Sequence, residues 1–241
     1  MAFCLMLLYA FQSFYSDFMF LFSNAFPPFV AGAAFISSIL ALRRYLGNFK
    51  ERFSRIWLGF ASAMGLWFLG ELCWAVYTLF LNIEIPYPSI GDVFWLGGYI
   101  PMFTALFLYV KPFSETISKN VRYAITSITL GLFALVLVTL HYHPLKFKEN
   151  MATVFIDFAY PILDLLLLYT AILGLIIFLK GKLGKSWLLI SLGTISITIA
   201  DILFSYTTTY ELYYCGHPLE LLFHFGYILL LLAFHSHRKE L

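Results

Sequence analysis

The chain has 241 residues, 61% hydrophobic, 20% aromatic and only 12% charged, with a net charge of +2 and a mean hydropathy of +0.86. Ordinary soluble domains carry about 25% charged residues, so this composition excludes an ordinary soluble fold. The few charges sit in short loops, which excludes a nucleic-acid partner, and three scattered cysteines (Cys4, Cys73, Cys215) offer neither a disulfide framework nor a CxxC metal site.

Residues 1–26 form an apolar segment without the basic start and small-residue cleavage site of a signal peptide. Gln12, Asp17, Ser13, Ser16 and Ser23 weaken it as a lipid-facing span. It reads as an eighth helix turning back at Asn24–Pro28, with an interfacial helix as the alternative. Seven spans follow, near 27–46, 57–81, 91–110, 122–141, 153–179, 187–208 and 217–235. Each is close to the ~20 apolar residues a bilayer requires. The expected fold is therefore all-α, a polytopic transmembrane helix bundle with seven core helices.

Loop charges orient it. Arg43, Arg44, Lys50, Arg52 and Arg55 lie between the first two spans, Lys111, Lys119 and Arg122 at 111–122, Lys180, Lys182 and Lys185 at 180–185, and Arg238 and Lys239 at the C-terminus. They alternate with loops at 82–91 and 207–217 that hold no Lys or Arg. Basic loops stay inside, so the expected location is the cell membrane, multi-pass, with the C-terminus cytoplasmic. Lys146 and Lys148, in an outer loop, dissent.

The chain also repeats itself. Lys50, Arg52, Arg55, Trp57, Glu71 and Pro88 recur 130 positions later as Lys180, Lys182, Lys185, Trp187, Asp201 and Pro218. After the proline the offset becomes 128, and Asp92 with Gly98-Tyr99 answers Glu220 with Gly226-Tyr227. Periodicity of this kind fixes architecture before any motif is read. The plan is 3+1+3: repeat 1 at 27–110, a linking helix within 111–152, and repeat 2 at 153–241. An odd inserted helix makes the two triplets parallel repeats.

Carboxylates inside lipid are costly and must face the bundle interior, water or one another. Glu71 lies 14 residues beyond Trp57, ~21 Å along a helix, in the outer half of the bilayer, and Asp201 sits at the same depth by the repeat. Asp157 and Asp164 are seven residues apart and share a helix face. Asp92 and Glu220 open their helices, where an acid suits the helix dipole and a cap. Some of these acids are expected to be protonated, since burial and like-charged neighbours disfavour the ionised form. Trp74, Trp95, Tyr99, Tyr160, Tyr206 and Tyr227 are the partners at hand. Two readings stand: a structural hydrogen-bonded network, or an outward-facing acidic–aromatic cavity for a small ligand or proton, lined by Glu71, Trp74, Asp92, Trp95, Tyr99, Asp157, Tyr160, Asp164, Asp201, Tyr206, Glu220 and Tyr227. His217, Glu220 and His224 share a helix face at metal-ligand spacing, but no second cluster completes a site, so no metal or cofactor is expected. No Walker loop, GxSxG or HExxH is present, and the last span has no lysine for a retinal Schiff base.

The segment PYPSIGDVFWLGGYIP at 86–101 resembles a signature of the multi-span N-terminal regions of membrane-bound bacterial diguanylate cyclases and of some bacterial and archaeal histidine kinases. DFAYPILDLLLL at 157–168 resembles their second signature. Trp187, Asp201, Tyr206, Gly216 and Gly226-Tyr227 match the third. Glu220 stands where the pattern has Asp. The resemblance covers about residues 50–237 and implies a sensory or signalling membrane module, not an enzyme, because the catalytic output domain is expected where this sequence stops. Its partners would be the lipid bilayer, an unknown small ligand, and a separate kinase or cyclase or a second copy in a dimer. A transporter would use the same 3+1+3 repeat, and an intramembrane lipid-cleaving enzyme, as in lysoplasmalogenase-like proteins, would use Glu71 and Asp201 as an acid/base pair.

Overall fold

A computed structural model describes residues 2–47, 50–141, 151–179 and 184–240. Eight α-helices account for most of them: α1 Ala2–Ala10, α2 Ser16–Leu42, α3 Arg52–Ala75, α4 Ile90–Val110, α5 Lys119–His141, α6 Met151–Phe178, α7 Lys185–Thr209 and α8 Glu220–Glu240. Helices α2 to α8 are each long and apolar enough to cross a membrane, and the chain is a multi-pass, all-α bundle. Lipid leaves backbone groups no partner but each other, so apolar segments of this length take up helix. Lys146, Lys148, Lys180 and Lys182, used above to orient the loops, lie outside the described residues.

The N-terminal expectation needs correcting. Helix α1 has nine residues, about 14 Å, and cannot cross ~30 Å of hydrocarbon. The chain turns at 11–15, not at Asn24–Pro28. Helix α2 runs unbroken through Pro27 and Pro28. Asn24 looked like a turn residue, yet it is buried inside the helix, where its Oδ1 accepts from Trp74 Nε1 at 2.8 Å. Helix, even through proline, is cheaper in lipid than an exposed loop.

Six helices close a ring. Helix α2 packs on α3, α3 on α4, α4 on α6, α6 on α7, α7 on α8, and α8 back on α2, while α5 lies outside against α6 and α7. The pairing α2–α3–α4 is repeated by α6–α7–α8, and the two joints between the triplets, α4–α6 and α8–α2, are equivalent. Individual contacts obey the same two-fold relation. Trp57 and Trp187 meet at 6.1 Å. Tyr109 of α4 stacks on Trp187 of α7 at 3.1 Å, and His237 of α8, 128 positions after Tyr109, packs at a tilt on Trp57 of α3 at 4.4 Å.

The helices within each triplet approach closely at glycine. A Cβ on Gly98 would lie 2.3 Å from Trp67 Cδ1, and one on Gly226 would lie 2.4 Å from Ile197 Cγ1. Trp67 and Ile197 are themselves 130 positions apart. The indole is the stiffer obstacle. Gly98→Ala is therefore expected to destabilise by about 1–3 kcal/mol, the usual cost of overpacking, read as a lower melting temperature in detergent.

The bundle has two unlike ends. The termini of α2, α3, α4, α5, α7 and α8 at one end carry Arg43, Arg44, Arg52, Arg55, Lys111, Lys119, Arg122, Lys185, Arg238 and Lys239. Just beneath them Trp57, Phe60, Met64, Ile190 and Phe234 are fully buried, filling the ring with apolar matter. Carboxylates and tyrosines gather toward the other end.

Candidate functional site: a buried carboxyl–tyrosine network

At the centre of the network is Tyr99 on α4, 2% exposed. Its Oη lies 2.5 Å from Asp164 Oδ1 on α6 and 2.8 Å from Asp201 Oδ2 on α7. Three helices thus converge on one phenol oxygen. A tyrosine hydroxyl has a single proton to donate and can accept another. Two good hydrogen bonds from carboxyl groups to this oxygen therefore require one in which the phenol donates and one in which a carboxylic acid donates to it. The arrangement is satisfied when Asp164 and Asp201 hold a proton between them.

The other half carries the related pair. Tyr227 of α8 donates to Glu71 Oε1 of α3 at 2.8 Å. Glu71 and Asp201 are equivalent by the repeat, as are Tyr227 and Tyr99, so each acid is held by the tyrosine of the opposite triplet. Trp67 packs edge-on between the two phenols, 5.7 Å from Tyr99 and 6.5 Å from Tyr227. Its Nε1 donates to Trp95 O at 3.1 Å, and the Trp95 side chain lies beside Glu71. The symmetry stops at Asp164. The residue 130 positions earlier is Ala34, which is buried.

The remaining expected site residues separate into other roles. Asp92 is a cap: its Oδ2 accepts from Ser89 N at 2.7 Å and Ser89 Oγ at 3.0 Å, and its Oδ1 from Tyr160 Oη at 2.9 Å. Tyr160 packs edge-on 6.2 Å from Tyr99, which joins this cap to the central network. Asp157 shares a helix with Asp164 but not a site. It accepts from Tyr87 Oη at 2.5 Å in an exposed contact, because the seven positions that separate it from Asp164 carry it towards the helix end. Trp74 binds Asn24, as above. Tyr206 leaves the network altogether, 40% exposed and packed against Tyr210 at 4.7 Å.

Glu220 anchors a second cluster. Its Oε1 accepts from Tyr213 Oη at 2.9 Å and from Gly216 N at 2.8 Å. Its Oε2 accepts from Tyr9 Oη at 2.7 Å. That same phenol oxygen is 2.7 Å from His224 Nε2. Burial, then the Glu220 carboxylate, pushes the phenols of Tyr9 and Tyr213 well above the ordinary tyrosine range, so both stay protonated donors. The His217–Glu220–His224 spacing does not form a metal group, and no such group exists among the described residues. His217 instead accepts from Leu219 N at 3.2 Å as a cap, while burial lowers its pKa.

The central acids face hydroxyls and indoles, and two open grooves lie elsewhere. One of about 560 Å³ is an apolar groove between α2 and α3, lined by residues such as Phe35, Gly65 and Phe68. One of about 450 Å³ lies at the 11–15 turn, lined by Gln12, Ser13, Ser16, Met19 and Cys215 among others. Reading the sequence missed Tyr9, Asn24, Tyr87, Tyr213 and His224 as members of these clusters. Tyr9 and Asn24 had no signal beyond polarity in an apolar run. His224 had one, as the histidine one turn beyond Glu220.

The chain matches no protein-family model, no curated protein and no solved structure.

Proposed function

We propose that this chain is a membrane sensory module that registers protons at the Asp164–Tyr99–Asp201 trio. The observation that carries the reading is the single phenol oxygen shared by two buried carboxyl groups from different helices. Such a trio has discrete proton arrangements, and each arrangement pulls α4, α6 and α7 together differently. Adding or removing the shared proton therefore biases helix packing, which is what a two-state sensor needs. The asymmetry supports the reading: a purely structural tie would be served by the Glu71–Tyr227 pattern in both halves, whereas only one half adds Asp164.

A sensor fits better than a transporter. A conducting path needs polar groups toward both faces, and below the acids the ring is filled by Trp57, Phe60, Met64, Ile190 and Phe234. The resemblance to the membrane regions of cyclases and histidine kinases points the same way. On this reading the protein sits in the cell membrane with its basic end in the cytoplasm and hands its signal to a separate kinase or cyclase, or to a second copy of itself.

Two experiments test this. In nanodiscs, the intrinsic fluorescence of Trp67 and Trp95, which pack against the network, should change with pH along a titration curve. Asp201→Asn should flatten that curve. An equally steep curve in the variant would remove the trio from the proposal, and turnover of a lipid substrate that Asp201→Asn stops would favour the enzyme. Orientation is read separately. With Cys4, Cys73 and Cys215 changed to Ser, Lys239→Cys should react with an impermeant maleimide only after intact cells are opened, and reaction from outside would reverse the topology.

A further inference from the structure

Helix α1 is weakly held. It buries only Leu5 and Tyr9, while Phe3, Met6 and Leu7 are exposed. It joins α2 through the irregular turn at 11–15. Elements with few buried contacts open most readily. Yet the contact it does make is a specific one. The Tyr9 side chain, 3% exposed, enters a polar socket at the outer end of α8. Its oxygen meets Glu220 Oε2 and His224 Nε2, both at 2.7 Å.

His224 is 0% exposed, and its Nδ1 is buried with no hydrogen-bond partner among the described residues. The imidazole is boxed by Phe26 at 5.0 Å, Phe22 at 6.2 Å and the Tyr9 ring at 5.7 Å. Glu220 is kept in place from its other side by Tyr213 and Gly216. A fully buried imidazole with an unpartnered nitrogen is a costly feature for packing alone.

The geometry points to a ligand site for a small phenolic hydroxyl compound at Glu220 and His224, with Tyr9 as its tethered occupant and α1 as the lid. One oxygen must donate to a carboxylate and accept from an imidazole N–H, which a neutral hydroxyl does and an ammonium or a carboxylate does not. The aromatic walls suit a ring behind that hydroxyl. The site is independent of the Asp164–Tyr99–Asp201 trio, so the two readings stand or fall apart.

The test uses p-cresol, the side chain of Tyr9 as a free molecule. Cys4, which is exposed on α1, carries a spin label in a chain with Cys73 and Cys215 changed to Ser. In nanodiscs, p-cresol should raise the mobile fraction of the label saturably, and toluene at equal membrane concentration should not. Tyr9→Phe keeps the ring and removes the hydroxyl, so its label should already be several-fold more mobile without p-cresol. Equal effects of p-cresol and toluene, or a Tyr9→Phe label as immobile as the parent's, would overturn the site.

Discussion

Tyr99→Phe is expected to be the most damaging removal of a single atom from this protein. The hydroxyl serves Asp164 and Asp201 together, so its loss leaves two carboxyl groups without their partner at once. Each buried polar group left unsatisfied costs about 1–3 kcal/mol. The variant should therefore lose roughly 2–6 kcal/mol, less whatever the two acids recover by bonding each other. Tyr227→Phe strands only Glu71, which also has Trp95 beside it, and should cost about half as much. Equilibrium unfolding of the two variants in the same detergent compares them directly. Equal losses would mean that the third carboxyl adds nothing to the network.

Asparagine at 164 or 201 should have the opposite signature: folding close to intact and proton response gone. The amide supplies permanently the N–H that a carboxylic acid supplies only when protonated, and it keeps the shape of the site. A change in stability within about 1 kcal/mol is the expectation for retaining a hydrogen bond of this kind. Asp164→Ala lacks both the donor and the volume: Tyr99 keeps Asp201, but the hole left in a fully buried site should make this variant less stable than either asparagine variant. Melting temperature against pH reads both. The parent curve should bend where the trio titrates, and the Asp164→Asn and Asp201→Asn curves should lose that bend.

The class of fold was legible because lipid permits so few structures. Runs of ~20 apolar residues become helices. The spacing of Trp57 and Trp187, Glu71 and Asp201, and Tyr99 and Tyr227 named the two triplets. The exchange of partners between the halves was not legible, since repeat spacing says which residues are equivalent and not which ones touch. Asp157 and Asp164 show the limit of helix-face arguments: a shared face seven residues long spans about 10 Å, enough to put one acid in the core and the other near the surface. Tyr206 matches the third signature in the sequence, yet it is 40% exposed and leaves the network. The turn expected at Asn24–Pro28 failed for a different reason. Asn24 followed by Pro27 and Pro28 is a strong turn signal in water, but the indole N–H of Trp74, which donates to Asn24, and the absence of solvent outweigh it.

The central claim is that Asp164 and Asp201 hold a proton between them around Tyr99, and infrared spectroscopy sees that proton most directly. A protonated carboxyl group in a membrane interior gives a carbonyl stretch well separated from those of carboxylate and amide. The account predicts such a band in the parent at neutral pH, its disappearance at alkaline pH, and its loss at neutral pH in both Asp164→Asn and Asp201→Asn. A parent spectrum without a protonated carboxyl band at neutral pH, or a band that survives in both variants, would contradict it.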